Sequence, residues 1–403
     1  MTGRDGLSGA RVLIVGQNPL VLEAVAQEVA DAGVEALRAT ASSANDFIES
    51  APDLVVFGAG VPAQDRQALE RAFRSRRPAT RFLQVYAPYA AHQILRAVRQ
   101  ADETRPVDLE AYCARIGYSG PLEPTLDVLR ALQQRHVATI TFEALDALLD
   151  RGIDLSPSAV DAKLIHKRRG GYCYEQNGLF KRVLAAVGFA VDGLLASVRW
   201  MNEPASAPPP RSHMALRVTM EGVPWLADVG FGSAVPTVPL RMDLSDPQST
   251  PHETYRVTPF GAGLLVQIEV LGRWQPLYDV SLEPQLDGHY ELYNWFTATH
   301  PSSHFRNRLV IARSTPEARH SLLDGRLTTR SASGSVEREF LDAKGIWRAL
   351  NDLFGLPAES GWWSAVERAA ARTVREAGRR NDRPGGCGTP ALVRSRAGTG
   401  LEA

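Results

Sequence analysis

The segment Ser212–Val229 leaves the fewest choices for how this chain can fold. Ser212-His-Met-Ala-Leu-Arg-Val-Thr-Met220 and Val223-Pro-Trp-Leu-Ala-Asp-Val229 flank Glu221-Gly222, which reads as a hairpin with a two-residue turn. With Met220 opposite Val223, Val218 opposes Trp225, Leu216 opposes Ala227 and Met214 opposes Val229. All eight side chains are apolar and share one face, so that face is predicted to be the core. The other face carries His213, Ala215, Arg217 and Thr219 opposite Gly230, Asp228, Leu226 and Pro224. His213 and Asp228 become diagonal neighbours, within reach of an imidazole–carboxylate hydrogen bond. A turn one residue longer or shorter would put them on opposite faces.

A second segment supplies a nucleophile. Arg169-Gly-Gly-Tyr-Cys173-Tyr-Glu-Gln-Asn-Gly178 is followed by Leu179, Phe180, Val183, Leu184 and Val187 at helical spacing. Cys173 therefore sits at a helix N-terminus just past a Gly-Gly turn. The exposed N–H groups and dipole there favour a thiolate, the nucleophilic form. Taken alone, the segment equally suits a small buried hydrophobe, the usual fate of a free cysteine. The His213–Asp228 pair tips the reading. Thiolate, imidazole and carboxylate make a nucleophile–base–orienter set suited to acyl transfer. Of the other histidines, His92 lies in the separate α/β segment of the first hundred residues, His136 and His166 sit in helical patterns, and His252, His289, His300, His304 and His320 have no strand-mate carboxylate that the pattern can place.

Composition narrows the setting. Lys plus Arg and Asp plus Glu are 45 each, so no global field favours nucleic acid or an anionic membrane. The three cysteines, Cys113, Cys173 and Cys387, make neither a disulfide framework nor a zinc site. No signal peptide or membrane span is evident, and the expectation is a cytoplasmic protein without a metal.

Along the chain, Arg11–Val15, Asp53–Phe57 and Arg81–Tyr86 read as buried strands. Pro19–Ala32 reads as a helix with Val21, Val25 and Val29 on one stripe, and Arg66–Arg76 as a polar helix. This α/β alternation implies a parallel sheet. Residues 1–100 resemble a response-regulator receiver domain of flavodoxin-like topology. Gly16-Gln17 stands where such domains carry an acidic pair, Gly58 where they carry the phosphate-accepting Asp, and Ala87 where a Lys is usual. The reading is therefore a degenerate docking or structural domain, with a protein as its partner in the docking case. Residues 101–106 read as a linker. Leu126–Ala138 and Phe142–Leu149 look helical, strands dominate from about Ser197, and Glu203–Pro210 is a Pro- and Ala-rich loop. From Ala371 the chain is Arg- and Gly-rich, and residues 371–403 are predicted to be a disordered tail.

From Val107 to about Ala370 the chain resembles the arylamine N-acetyltransferases. The resemblance rests on Arg169–Asn177, Pro210-Arg-Ser-His213, Asp228-Val-Gly-Phe-Gly232, the opening Val107–Tyr118, and Asn294-Trp-Phe-Thr-Ala-Thr-His-Pro301. It implies a helical domain with the catalytic cysteine (107–196), a β-barrel domain with the histidine and aspartate (197–290), and a C-terminal α/β lid (291–370). The Cys-His-Asp core would be like that of cysteine proteases, with Cys173, His213 and Asp228 as the triad. It further implies acetyl-CoA as co-substrate and ping-pong acetylation of an arylamine or arylhydrazine through a Cys173 thioester. Phe231, Gly232 and Ser233 would lie near substrate and CoA, and Arg169 and Glu143 would form a supporting ion pair. Thr141-Phe-Glu-Ala144 departs from the family's Pro-Phe-Glu-Asn, and the lost Asn predicts looser packing behind the site.

Three other readings share these motifs. The fold also serves amide synthases that close ansamycin macrolactams from a carrier-bound polyketide. A Cys–His–Asp set also occurs in hydrolases, where water accepts the acyl group. A binding or regulatory protein could keep the fold without the activity.

Overall fold

The computed structural model describes residues 9–200 and 209–381. Most of the loop expected at Glu203–Pro210, Cys387, and the tail beyond Asn381 lie outside the described residues. The chain divides into two units, Met1–Pro106 with Asp154–Ala162, and Val107–Ile153 with Lys163–Ala403.

The first unit is a four-stranded parallel sheet. Its strands are β1 (Arg11–Val15), β2 (Glu35–Ala39), β3 (Leu54–Gly58) and β4 (Arg81–Val85), in the order β2-β1-β3-β4. Helix α1 (Pro19–Asp31) joins β1 to β2, a 3₁₀ helix (Ala44–Ser50) joins β2 to β3, α2 (Ala63–Arg76) joins β3 to β4, and α3 (Ala90–Glu103) follows β4. β1 is buried on both faces: Val12 and Ile14 pack with Val29, Ile94 and Val98, while Leu13 and Val15 pack with Phe57, Leu69 and Phe73. That two-sided burial is why the strand reads as a continuous apolar run. Two expectations are corrected. Val21 is exposed, because Asn18 caps α1 at the Leu20 and Val21 amides and the buried stripe starts one residue later, at Leu22, Val25, Ala26 and Val29. The expected linker at 101–106 begins as helix, since α3 continues to Glu103.

The second unit opens with α4 (Leu109–Ile116) and α5 (Leu126–Thr139), then β5 (Phe142–Glu143) and the single turn α6 (Leu145–Leu148). The short helix α7 (Pro157–Asp161) is counted with the first unit, and α8 (Cys173–Val187) follows it in the chain. Next come β6 (Ala190–Val198), β7 (Arg211–Met220), β8 (Val223–Ala227), β9 (Leu240–Arg241), β10 (Gln248–Ser249), β11 (Thr254–Phe260), β12 (Gly263–Val270) and β13 (Arg273–Val280). They form one antiparallel sheet, ordered β10-β11-β12-β13-β6-β7-β8-β9. The expected 107–196 helical segment therefore ends in a strand, because β6 joins this sheet.

The β7–β8 register is the one read from the turn: Met220 pairs with Val223, Val218 with Trp225 and Leu216 with Ala227. Glu221 and Gly222 both have positive φ, 51° and 78°, as a type I′ turn requires. The single core face is corrected. Ala215 and Leu226, on the His213 side, belong to a core with Leu194, Tyr255, Val266 and Tyr278, drawn from strands across the sheet. The sheet is thus barrel-like and its inner face is apolar. Met214, Leu216 and Val218 on the other face are also buried, and β7 packs against α8.

The chain then forms α9 (Asp287–Thr299), α10 (His304–Asn307), β14 (Val310–Ser314), β15 (Ala318–Leu323), β16 (Arg326–Ser331), β17 (Val336–Phe340), α11 (Ala343–Asp352) and α12 (Trp363–Asn381). The third sheet is antiparallel, ordered β17-β16-β15-β14-β5. Phe142-Glu143 is strand where a helix was expected, because it pairs with Ala312 and Ile311 from far along the chain. Leu145, Ile311, Ile346, Leu350, Phe354, Trp362 and Val366 form one core here, each worth about 1.5–3 kcal/mol when fully buried. α12 runs past Ala371, where the tail was expected to start. Thr373 donates to Ala369 O and accepts from the Gly325 amide, and Arg372 pairs with the buried Asp324, so tertiary contacts order this polar helix. Among the described residues no helix is long and apolar enough to cross a membrane.

Candidate active site

Cys173 is the first residue of α8 and is buried. The approach to it is built from glycines. A Cβ on Gly170 would fall 1.9 Å from the Thr141 carbonyl oxygen, and one on Gly171 would fall 2.8 Å from Glu175 Oε2. The turn is capped by Glu175, whose Oε2 accepts from the Tyr172 amide at 3.0 Å. Gln176 donates to the carbonyls of Ile140, Thr141 and Gly171, tying the turn to α5 and β5.

β7 brings His213 to this helix end. Cys173 Sγ lies 3.7 Å from the Ser212 carbonyl oxygen, and His213 and Cys173 interact through their side chains. His213 Nε2 is 2.8 Å from Asp228 Oδ2, so Nδ1 is the nitrogen left for the thiol side. The Phe231 and Tyr278 rings pack on the imidazole at centroid distances of 5.1 and 4.9 Å. Burial alone would lower the His213 pKa, but the Asp228 charge and its hydrogen bond outweigh burial and push it up to about 10.

Asp228 is fully buried and fully satisfied. Oδ2 also accepts from the Tyr278 hydroxyl at 2.9 Å. Oδ1 accepts from Asn177 Nδ2 at 3.0 Å and from the Gly230 amide at 2.8 Å. Burial would raise its pKa, yet His213 and these donors hold it below the usual carboxylate value. Asn177 also donates to Met214 O and accepts from the Val229 amide, locking α8 to β7 and to the segment just past β8. Gly230 passes so close that a Cβ there would lie 2.7 Å from Cys173 Cα.

Sequence reasoning missed Asn177, Gly230 and Tyr278. Asn177 had a signal, a polar residue one helical turn after Cys173. Tyr278 had none, because its strand is distant in the chain. Gly232 has φ +75° and opens a 3₁₀ turn, Gly232–Ala234, that holds the half-buried Ser233. A Cβ on Gly232 would sit 3.5 Å from the Phe142 ring, which itself packs on Phe305.

Arg169 reaches Glu143 Oε1 at 2.8 Å and Asp146 Oδ1 at 3.0 Å, with its guanidinium 5.0 Å from the centre of Trp362. The packing behind the site is not loose, as the Thr141–Ala144 departure had suggested. Ala144 is buried, and the Thr141 hydroxyl donates to Phe354 O at 2.5 Å, a bond proline could not make. Cys113 is half-buried, and burial raises its pKa. Among the described residues no group of three or more His, Cys, Asp or Glu side chains could hold a metal ion.

A family model described as N-acetyltransferase matches residues 125–362, more than half of the chain. The chain belongs to the arylamine N-acetyltransferase family. It is 41% identical to an arylamine N-acetyltransferase of Mycobacterium tuberculosis over 267 residues, covering 65% of this chain and 94% of that one. An Escherichia coli family member is 39% identical, over 62% of this chain and 88% of its own. Among solved structures, the Mycobacterium marinum arylamine N-acetyltransferase in complex with CoA matches with a TM-score of 0.62 and 39% identity, over 66% of this chain and 99% of that one. As a member of this acyltransferase family, the chain is an enzyme.

Proposed function

We propose that the protein transfers an acetyl group from acetyl-CoA to an arylamine or arylhydrazine by a ping-pong route through a thioester on Cys173. The observation that carries this is the buried His213–Asp228 pair set against a cysteine at the first position of α8. The Cys173 thiolate attacks the acetyl carbonyl carbon. The His213 imidazolium gives its proton to the departing CoA sulfur, and the thioester remains. The amine then attacks that carbonyl, His213 takes the amine proton, and the Cys173 thiolate leaves. Asp228 holds the tautomer and favours the imidazolium, as in other triads.

Phe231, Gly232 and Ser233 form the substrate- and CoA-facing turn in this reading. Phe231 presents an aromatic edge beside His213, which suits an arene acceptor. Arg169 and Glu143 support the turn before Cys173. Residues 1–106 lie outside residues 125–362 and supply none of these groups, so their removal is expected to leave turnover of a small arylamine intact.

The test is initial-rate kinetics with varied acetyl-CoA and arylamine. Parallel double-reciprocal lines, with CoA released before amine is added, support the proposal. Intersecting lines, or no CoA release without amine, overturn it. Cys173→Ser should abolish transfer, because a serine hydroxyl is far harder to deprotonate, whereas Cys113→Ser and Cys387→Ser should retain it.

A further inference from the structure

Against the glycine turn that precedes Cys173 lies a buried cluster of charges that the acyl-transfer steps do not use. Its carboxylates are Glu143, Asp146 and Glu175, and its cations are Arg169 and Lys163. Arg169 serves Glu143 and Asp146. Lys163 Nζ lies 2.6 Å from Glu175 Oε1, 2.7 Å from Asp146 Oδ2 and 3.9 Å from Glu143 Oε1. Glu175 is 1% exposed, and within the cluster Lys163 is the cation paired with it. Its second oxygen caps α8 at the Tyr172 amide, one residue before Cys173. Lys163 itself sits in a short stretch of π-helix, Ala162–His166, a geometry common at functional sites.

We propose that Lys163 is a positioning residue of the site: its ammonium keeps Glu175 an ionised cap on the N-terminus of α8, and through that cap it fixes the Cys173 thiol toward His213. This rests on the reading of Cys173 as the acyl-accepting thiol. Without Lys163, Glu175 loses its paired cation, while Arg169 stays with Glu143 and Asp146 and the exposed Arg151 reaches only Asp146 of the three carboxylates, at 3.9 Å. An uncompensated buried carboxylate takes up a proton or draws in water, and either change slackens the cap. The balance is already fine, because burial pushes the Glu175 carboxyl up to about 7 against the pull of Lys163. The charged groups facing Glu175 are Lys163, Glu143, Asp146 and, beyond them, Arg169.

The experiment compares the full-length parent, Lys163→Met, Lys163→Arg, Glu175→Ala and the Lys163→Met/Glu175→Ala double variant. The rate of iodoacetamide alkylation at Cys173 is read by peptide mass from pH 5 to pH 9, alongside Tm. Lys163→Met and Glu175→Ala should each slow alkylation about 10–100-fold at neutral pH, as expected when a reacting group is misplaced. The double variant should be no slower than Glu175→Ala, since Lys163 acts through Glu175. Lys163→Arg keeps the charge and should stay within about fivefold of the parent. Parental reactivity and pH profile in Lys163→Met would overturn the proposal, and so would multiplicative effects in the double variant. Where Lys163→Met does not fold, Lys163→Gln makes the same comparison. Adduct formation from acetyl-CoA in the parent is read separately and bears only on the role of Cys173, so the two failures are distinguishable.

Discussion

The Tyr278 hydroxyl donates to Asp228 Oδ2 at 2.9 Å, the same oxygen that His213 Nε2 meets at 2.8 Å. β13 thus holds the carboxylate that β7 uses. Tyr278→Phe removes a hydrogen bond to a buried charge, worth about 1.5–3 kcal/mol, while keeping the ring packed on His213 and Phe231. kcat/KM for the acyl donor should fall roughly tenfold or more, with Tm lowered by a few degrees. Unchanged kinetics would mean that the three remaining donors suffice for Asp228.

Asp228 also sets the pH range of the site. Burial would lower the His213 pKa, but the Asp228 charge and hydrogen bond, together with Cys173, push it up to about 10. The imidazolium form therefore persists below about pH 10 and is lost above it. In Asp228→Asn the charge is gone and burial remains, so the imidazolium should be lost at lower pH. The alkaline limb of kcat/KM should move down, and the plateau should drop by about 10⁴-fold, as when the orienting carboxylate of another triad becomes an amide. Measured pH–rate profiles for the two proteins that superimpose would contradict this.

His136 gives a stability prediction. It is fully buried between the Tyr112 hydroxyl and Gln176 Oε1, and burial lowers its pKa to about 4. The unfolded chain binds this proton near pH 6.5 and the folded protein only near pH 4. The His136 contribution is therefore complete above pH 6.5 and lost as pH falls to 4, on the order of 3 kcal/mol in all. Glu175 acts in the opposite sense, because its raised pKa adds stability as pH falls through about 7. Comparing the parent with His136→Gln cancels Glu175. Urea unfolding should find the parent ahead at pH 7 and its lead shrinking toward pH 4. A constant gap would show that His136 does not titrate as buried.

Much of the site was legible because the hairpin obeys local rules. Glu221-Gly222 can only make a tight two-residue turn, and period-two alternation then places His213 beside Asp228. The Cys173 helix announced itself through Gly170-Gly171 and the apolar spacing after it. What escaped was set by distant partners. Phe142-Glu143 has no local reason to be strand and becomes one by pairing with β14. The single-core-face expectation failed because the barrel-like sheet buries the inner face while α8 covers the outer one. Tyr278, Asn177 and Lys163 are ordinary polar residues until the fold puts them against Asp228 and Glu175. α12 extends into a stretch too polar to suggest burial, through the Arg372–Asp324 and Arg308–Glu376 ion pairs.

The most direct measurement of the central claim is the intact mass of the protein after brief exposure to acetyl-CoA without amine, followed by peptide mapping. The account expects one acetyl group per chain, held as a thioester on Cys173, removed by an added arylamine and absent from Cys173→Ser. No adduct, or an adduct that persists in Cys173→Ser, would contradict it.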